Sequence, residues 1–135
     1  EQFVVDETGD FIRREEQLLL VSSSLSINEA WKIVYSLGGL FIPAHVNRKA
    51  FGLLESLGLV PTDVPIEALE ISRHIKPQDA PAAFPQIRGY PLIQNGDAHR
   101  LDEFNTSMVL YLQAPTIAEI RLALSEQEGR KITFH

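Results

Sequence analysis

Three residues of the sequence have types and positions suited to binding a metal ion. His45 ends the apolar run 38–45, while Asp97 and His99 end a second apolar run, 91–99. In an extended backbone, side chains two residues apart leave the same face, with their Cα atoms about 7 Å apart. Asp97 and His99 would then reach one ion or two neighbouring ions. The structural alternatives are a packing histidine and an aspartate that caps a helix.

The elements that must position these residues alternate between strands and helices, which predicts an α/β fold of parallel strand–helix units. A capping box at Ser26 opens a helix, and the glycine pair 38–39 ends it. The strand 40–45 follows, and a buried parallel strand delivers its last side chain to the rim of the sheet, where ligands collect. The further predicted elements are a helix at 51–57 stopped by Gly58, strands at 68–72, 91–99, 107–112 and 131–134, short helical pieces at 82–88 and 101–104, and a helix from a capping box at Thr116 and Glu119 to Gly129.

The composition is that of a globular domain, with 135 residues, 44% hydrophobic and 22% charged. This length predicts a single domain, 1–135. The apolar residues 18–21 are predicted to lie in its core. The sequence has no cysteine, which removes thiolate ligands and fits a cytoplasmic protein, and it has no apolar run long enough to span a membrane. A net charge of -6 disfavours strong nucleic-acid binding and suits divalent cations better.

Two stretches of the sequence resemble the polymerase and histidinol phosphatase (PHP) family of metal-dependent phosphoesterases. Residues 39–45, Gly-Leu-Phe-Ile-Pro-Ala-His, resemble the strand of that family that ends in Ala-His, and residues 95–99, Asn-Gly-Asp-Ala-His, resemble its strand end Ser-Asp-Ala-His. The resemblance spans roughly Ser26 to Gly129. It implies part of a distorted (β/α)7 barrel whose strand ends hold Mn, Zn or Fe ions, with His45, Asp97 and His99 as ligands.

The sequence also departs from the PHP pattern. Val46 stands where the family usually has proline, and Gly96 stands where it usually has serine; neither change removes a ligand. The His-x-His motif of the family's N-terminal half has no counterpart, so we expect the C-terminal portion of a PHP domain. With part of the ligand set, such a piece would bind metal weakly and show little or no activity alone.

Three other polar residues are weaker candidates for the site. Glu70 lies on a predicted strand, but its alternation with two apolar neighbours favours a structural role. His74 and Arg48 follow predicted strands, and either could meet a substrate phosphate, Arg48 through its planar guanidinium. The alternative for both is a solvated loop side chain.

These observations lead to one preferred hypothesis and two rivals. The preferred hypothesis is a fragment of a PHP-type hydrolase acting on a phosphate ester of a small metabolite or nucleotide. The first rival is a non-catalytic interaction or regulatory domain that forms a homodimer through the open edge of an incomplete barrel. The second is an unrelated small α/β domain in which the histidines only pack.

Overall fold

The computed structural model describes residues 2–17, 22–104 and 107–135, and within these the fold is mixed α/β with small sheets. The stretch 18–21, predicted as core, lies outside the described residues. The strands are β1 Gln2–Val5, β2 Phe11–Glu15, β3 Leu69–Ile71, β4 Leu92–Gln94, β5 Met108–Tyr111 and β6 Lys131–Phe134. The helices are α1 Ile27–Ser36, α2 Leu53–Leu57, α3 Ala80–Ala83 and α4 Ile117–Leu124, with 3-10 turns at Pro85–Ile87 and Leu101–Glu103.

The described strands form three two-stranded sheets, of which one is parallel. β3 and β4 pair in parallel, with Leu69 opposite Leu92, whereas β1 pairs with β2 and β5 with β6 in antiparallel fashion. The prediction of parallel strand–helix units is therefore correct for β3 and β4 and wrong for β5 and β6, while β1 and β2 form a pair for which no strands were predicted. A turn at residues 6–10 joins β1 and β2 into an antiparallel hairpin, whereas β5 and β6 pair antiparallel with α4 between them in the sequence.

The predicted strand at 40–45 is an extended segment rather than a regular strand. It lies beside β3, because the Glu70 N–H donates to the Pro43 carbonyl at 3.0 Å and the Val46 N–H donates to the Glu70 carbonyl at 2.8 Å. Pro43 has no N–H to contribute to a ladder, and His45 has a left-handed backbone with φ of 30°. These two features interrupt the ladder, and the two hydrogen bonds to Glu70 keep the segment next to β3.

The first predicted helix has the expected ends. Ser26 accepts a hydrogen bond from the Glu29 N–H at 3.2 Å, and the Glu29 carboxylate accepts one from the Ser26 N–H at 2.8 Å. Gly38 then takes a φ of 75°, so the capping box and the glycine stop are both confirmed.

The last helix has one predicted end and one that differs. Thr116 caps α4 by accepting from the Glu119 N–H at 3.3 Å, but the Glu119 carboxylate binds the Gln113 N–H rather than closing a capping box. α4 ends at Leu124, not at Gly129, because Glu126 already adopts a positive φ of 52°.

The core lies around β3. Leu69 and Ile71 are fully buried and pack with residues from α2, α3 and the segment that precedes β3. A smaller cluster joins Ala68, Ile93 and Leu124, so α4 covers the opposite side. Among the described residues, no helix is long and apolar enough to cross a membrane.

Candidate functional site

A polar cavity of about 180 Å³ opens beyond the carboxyl end of β3. It is formed by three loops, those that follow the extended segment 40–45, β3 and β4. All three predicted metal ligands line it, and so do Arg48 and His74, which were predicted as phosphate-binding candidates. The lining residues are His45, Arg48, Glu70, Ser72, Arg73, His74, Gly96, Asp97, His99 and Glu103.

His45 lines this cavity, and one of its ring nitrogens has no partner among the described residues. Its Nδ1 is buried and has no hydrogen-bond partner among the described residues. A buried nitrogen without a partner is costly, and native structures rarely keep one without a reason. His45 therefore does not have the fully hydrogen-bonded environment expected of a packing histidine.

Asp97 and His99 reach the cavity by a different route from the one predicted. β4 ends at Gln94, and Asp97 has a positive φ of 50°, so the backbone is not extended from 91 to 99. The His99 Nδ1 lies 2.8 Å from the carbonyl oxygen of Asp97. The prediction that these two side chains leave the same face of one extended strand is therefore wrong, although both residues border the same cavity.

The Asp97 carboxylate is already engaged in an ion pair. Arg48 Nη1 donates to Asp97 Oδ2, which joins two residues 49 positions apart in the sequence. Both side chains are about two-fifths exposed, at 41% and 38%. Arg48 thus bridges two loops across the cavity instead of standing free in solvent.

Glu70, for which its apolar neighbours favoured a structural role, also lines the cavity. Leu69 and Ile71 point into the core, so the strand alternation places Glu70 on the cavity side. Burial raises the pKa of its carboxyl group, and the Asp97 carboxylate adds to the rise, while His45 opposes it through its charge and its backbone N–H. The signal for Glu70 in the sequence was its place at the end of a buried strand.

A hydrogen-bond network holds the loops around the cavity. The Asn47 side chain accepts from the Ser72 N–H at 2.8 Å and donates to the Ser72 hydroxyl at 3.0 Å. The Gln94 amide donates to the carbonyls of Ser72 and Ile75, at 2.9 and 2.8 Å. The loop after the extended segment and the ends of β3 and β4 are therefore tied to one another.

Glu103 and Arg73 are site residues that the sequence interpretation missed. The Glu103 carboxylate accepts from the backbone N–H groups of His99 at 2.7 Å and Arg100 at 3.2 Å, so it orders the loop that carries His99. The Glu103 carboxylate thus binds the N-cap backbone as in a capping box, but the N-cap residue Arg100 is not a serine or threonine, so the sequence lacks the usual signature. The Arg73 Nη1 lies 3.4 Å from the Gly96 carbonyl.

The donor set fits part of a metal site rather than a complete one. Imidazole and carboxylate groups suit Mn, Zn and Fe as ligands. The His45 Nδ1, which has no hydrogen-bond partner among the described residues, is one nitrogen of this type. Within 2–17, 22–104 and 107–135, however, no group of three or more His, Cys, Asp or Glu side chains has the arrangement to hold a metal ion. Further ligands, or a rearrangement of the Asp97 side chain, would be needed.

Comparisons with known proteins support the fold. No family model matches the sequence. The chain is 35% identical over 107 residues to the uncharacterized protein YqxK of Bacillus subtilis (strain 168), a match that covers 75% of this chain and 27% of YqxK. The crystal structure of the lesion-specific endonuclease PfuEndoQ from Pyrococcus furiosus matches with a TM-score of 0.64 and 24% identity, covering 80% of this chain and 28% of the endonuclease.

The chain thus has a fold similar to that of a known endonuclease over most of its length, and it spans little more than a quarter of either similar protein. At this level of identity the structural match shows the fold, and the chemistry of the site must be argued from the residues of this chain.

Proposed function

We propose that this chain is the C-terminal portion of a PHP-type metal-dependent phosphoesterase, in which His45, Asp97 and His99 help to bind the ions. The observation that carries this proposal is that three residues of metal-binding type, two of them more than 50 positions from the first, line one cavity beyond the end of β3. The fold similarity to PfuEndoQ supports a phosphoesterase or nuclease of this kind at a coarse level.

The residues of the cavity have complementary roles in phosphate ester hydrolysis. Divalent ions such as Mn, Zn or Fe, when bound, neutralise phosphate oxygens and make a hydroxide available near neutral pH. Arg48 and Arg73 add donors for phosphate oxygens, and His74 offers a further nitrogen. Glu70, whose pKa is raised, takes up a proton more readily than an exposed carboxylate does.

The substrate class that we propose is a phosphate ester of a small metabolite or nucleotide. The fold similarity to PfuEndoQ, which is a lesion-specific endonuclease, supports a nucleic-acid phosphodiester as the second candidate. Against a nucleic acid stands the net charge of -6, although the remainder of a longer protein could supply a basic surface.

Metal binding tests the proposal directly. We expect the chain to bind Mn²⁺ weakly, and we expect His45→Ala, Asp97→Ala and His99→Ala each to weaken binding by about tenfold or more, as loss of a ligand does. Calorimetric titration with Mn²⁺ measures this. His74→Ala, which changes a histidine of the same cavity that is not a proposed ligand, is the matched control and should bind as the unmodified chain does.

Equal Mn²⁺ affinity for His45→Ala, Asp97→Ala and the unmodified chain would contradict the proposal. Activity is measured on a longer chain, because this one would supply only part of the ligands. Hydrolysis of p-nitrophenyl phosphate or bis(p-nitrophenyl) phosphate, and cleavage of DNA oligonucleotides, separate the monoester, diester and nucleic-acid candidates.

A non-catalytic domain that self-associates is the alternative function. It is favoured by large apolar side chains that lie exposed among the described residues, such as Leu37 at 81%, Phe51 at 94% and Leu101 at 89%. Sedimentation analysis over a range of concentrations tests for a homodimer. A monomer at all concentrations would contradict this alternative.

A further inference from the structure

A second cavity, of about 560 Å³, adjoins the candidate site and differs from it in charge. Arg73 and His74 line both cavities, whereas Lys76 and His135 line only the second, which we call the basic cavity. Carboxylates line the candidate site, but no aspartate or glutamate is among the described residues that line the basic cavity. In a chain with a net charge of -6, such a cavity is a local attraction for anions.

The positive charges of the basic cavity are not neutralised by neighbouring carboxylates. Within the part of the chain that the structure describes, neither Arg73 nor Lys76 forms an ion pair. Arg73 makes one long contact, from Nη1 to the Gly96 carbonyl at 3.4 Å. The side chains of Arg73, His74 and Lys76 are all exposed, so they can donate to a ligand.

The loop that carries these side chains is fixed by the buried Gln94. The Gln94 Nε2 donates to the carbonyls of Ser72 and Ile75, at 2.9 and 2.8 Å. Ile75 packs against the core around β3, while His74 and Lys76 on either side of it are exposed. A backbone that is already ordered loses little conformational freedom when a ligand binds, so the loop is prepared for binding.

The lining of the basic cavity suits an organic phosphate. Guanidinium and ammonium groups are the side chains that most often bind phosphate oxygens, and a histidine N–H adds a donor. Phe134 and Pro77, both half-buried, give the cavity an apolar side against which an organic group can pack. The volume lies in the usual range for small-molecule sites and leaves room for more than a phosphate group.

We propose that the basic cavity binds a phosphate group of an organic ligand, with Arg73, His74 and Lys76 as donors and Phe134 against the organic part. Since Arg73 and His74 also line the candidate site, this phosphate lies next to the ester that is hydrolysed there and is not itself hydrolysed. That relation to the ester rests on the proposed function, whereas the binding of the phosphate does not.

Titration of the isotope-labelled chain with thymidine monophosphate tests the subsite by two-dimensional NMR, in EDTA so that no metal contributes. We expect saturable shifts of the amide signals from 73–78 and of His135. Lys76→Gln should weaken binding by about fivefold, because one positive charge beside the phosphate is lost. Lys76→Arg keeps the charge and should stay within about twofold of the unmodified chain.

Lys32→Gln is the matched control, because Lys32 is an exposed lysine of α1 that lines neither cavity. It should bind thymidine monophosphate as the unmodified chain does. Equal affinity of Lys76→Gln and the unmodified chain, or shifts that do not saturate, would overturn the subsite. The amide spectrum of each variant also shows whether it is folded.

Two further probes identify which part of the ligand is bound. Inorganic phosphate should shift the same amide signals more weakly, and thymidine without a phosphate should leave them unchanged. Inorganic phosphate that binds as tightly as thymidine monophosphate would overturn the assignment of an organic ligand. Thymidine that binds as tightly would overturn the phosphate subsite.

This proposal and the proposed function fail in different ways. Absence of Mn²⁺ binding, with thymidine monophosphate still bound in EDTA, would contradict the proposed function and leave the subsite standing. Absence of thymidine monophosphate binding, with Mn²⁺ binding that His45→Ala weakens, would overturn the subsite and leave the proposed function standing.

Discussion

Glu70 shows how one carboxylate can be placed at a cost to stability. It lies between two fully buried residues of β3 and faces a cavity that also holds Asp97. Burial raises its pKa above the ordinary value of 4.5, so the folded chain holds the ionised form less favourably than the unfolded chain does. This cost is absent below about pH 4.5 and grows as the pH rises through the pKa of the folded state.

Glu70→Gln should therefore stabilise the chain at neutral pH. We expect the free energy of unfolding at pH 7 to rise by roughly 0.5–1 kcal/mol, since a charge is removed from a place where it is poorly solvated. The gain should largely vanish at pH 4, where the carboxyl group of Glu70 is mostly protonated. Urea unfolding followed by the fluorescence of Trp31, the sole tryptophan, measures the difference at both pH values.

Glu55→Gln is the control for this prediction. Glu55 lies exposed on α2, away from the cavity, and its replacement should leave the free energy of unfolding unchanged at both pH values. A loss of stability in Glu70→Gln at pH 7 would contradict the argument and would indicate that the charge of Glu70 is needed by a neighbour.

At the scale of elements, the turn from 45 to 52 depends on a glycine for space. Gly52 has an ordinary φ of -78°, so glycine is required there because the Arg48 backbone lies close to it and not because of an unusual backbone conformation. A Cβ atom there would collide with the Arg48 carbonyl oxygen and lie 2.9 Å from the Arg48 nitrogen. The Val46 carbonyl of this turn accepts a hydrogen bond from the Leu54 N–H at 3.1 Å, which links the turn to α2.

Gly52→Ala should accordingly destabilise the chain by roughly 1–3 kcal/mol, the usual cost of inserting a methyl group into packed backbone. Urea unfolding measures the loss. Gly58→Ala is the comparison, because Gly58 has a φ of 72° and open space around it, so that change costs only about 1 kcal/mol through backbone strain. Equal stability of Gly52→Ala and the unmodified chain would contradict the close approach of Gly52 to the Arg48 backbone.

A second element-scale interaction ties α4 to the residue that precedes β6. Arg130 donates from Nε and Nη2 to the two oxygens of Glu119, both at 2.9 Å, and the side chains are only 10% and 14% exposed. The hydrogen bonds from Arg130, with one from the Gln113 N–H, lower the pKa of Glu119 to about 2. The stability that this pair contributes is present above pH 4.5 and is lost as the pH falls toward 2.

Glu119→Gln should lower the thermal unfolding midpoint by a few degrees at pH 7, because the paired arginine loses its counter-charge. The difference from the unmodified chain should shrink steadily between pH 4.5 and pH 2. Differential scanning calorimetry measures both. Arg13→Gln, which breaks an ion pair whose arginine is 58% exposed, is the control and should shift the midpoint little. A Glu119→Gln deficit that is the same at pH 7 and pH 2 would refute the linkage.

Across the whole molecule, the sequence predicted what depends on near neighbours. The capping box at Ser26 and the glycine stops at 38 and 58 involve contacts within a few residues, and each is confirmed. The pairing of the 40–45 segment with β3 and the ion pair of Asp97 involve partners distant in the sequence. Arg48 lies 49 positions from Asp97, so no local pattern indicates their pairing.

The candidate site was predictable in its members more than in its geometry. Three loops that follow neighbouring chain segments of the sheet meet at one end, and His45, Asp97 and His99 all line the cavity there. Their role as metal ligands stays a prediction. The convergence of these loops does not predict which side chains pair there. The ion pair at Asp97 and the raised pKa of Glu70 were therefore found only in the three-dimensional structure.

The left-handed backbone of His45 restricts which amino acids that position can accept. At a φ of 30°, a branched residue such as valine or isoleucine would be strained whatever it contacted, whereas asparagine, aspartate and glycine tolerate this conformation. Two of those three carry an oxygen that can bind a cation. Random replacement of residue 45, followed by selection for folded protein alone, should therefore enrich asparagine, aspartate and glycine. Two of these would keep an oxygen ligand at this position.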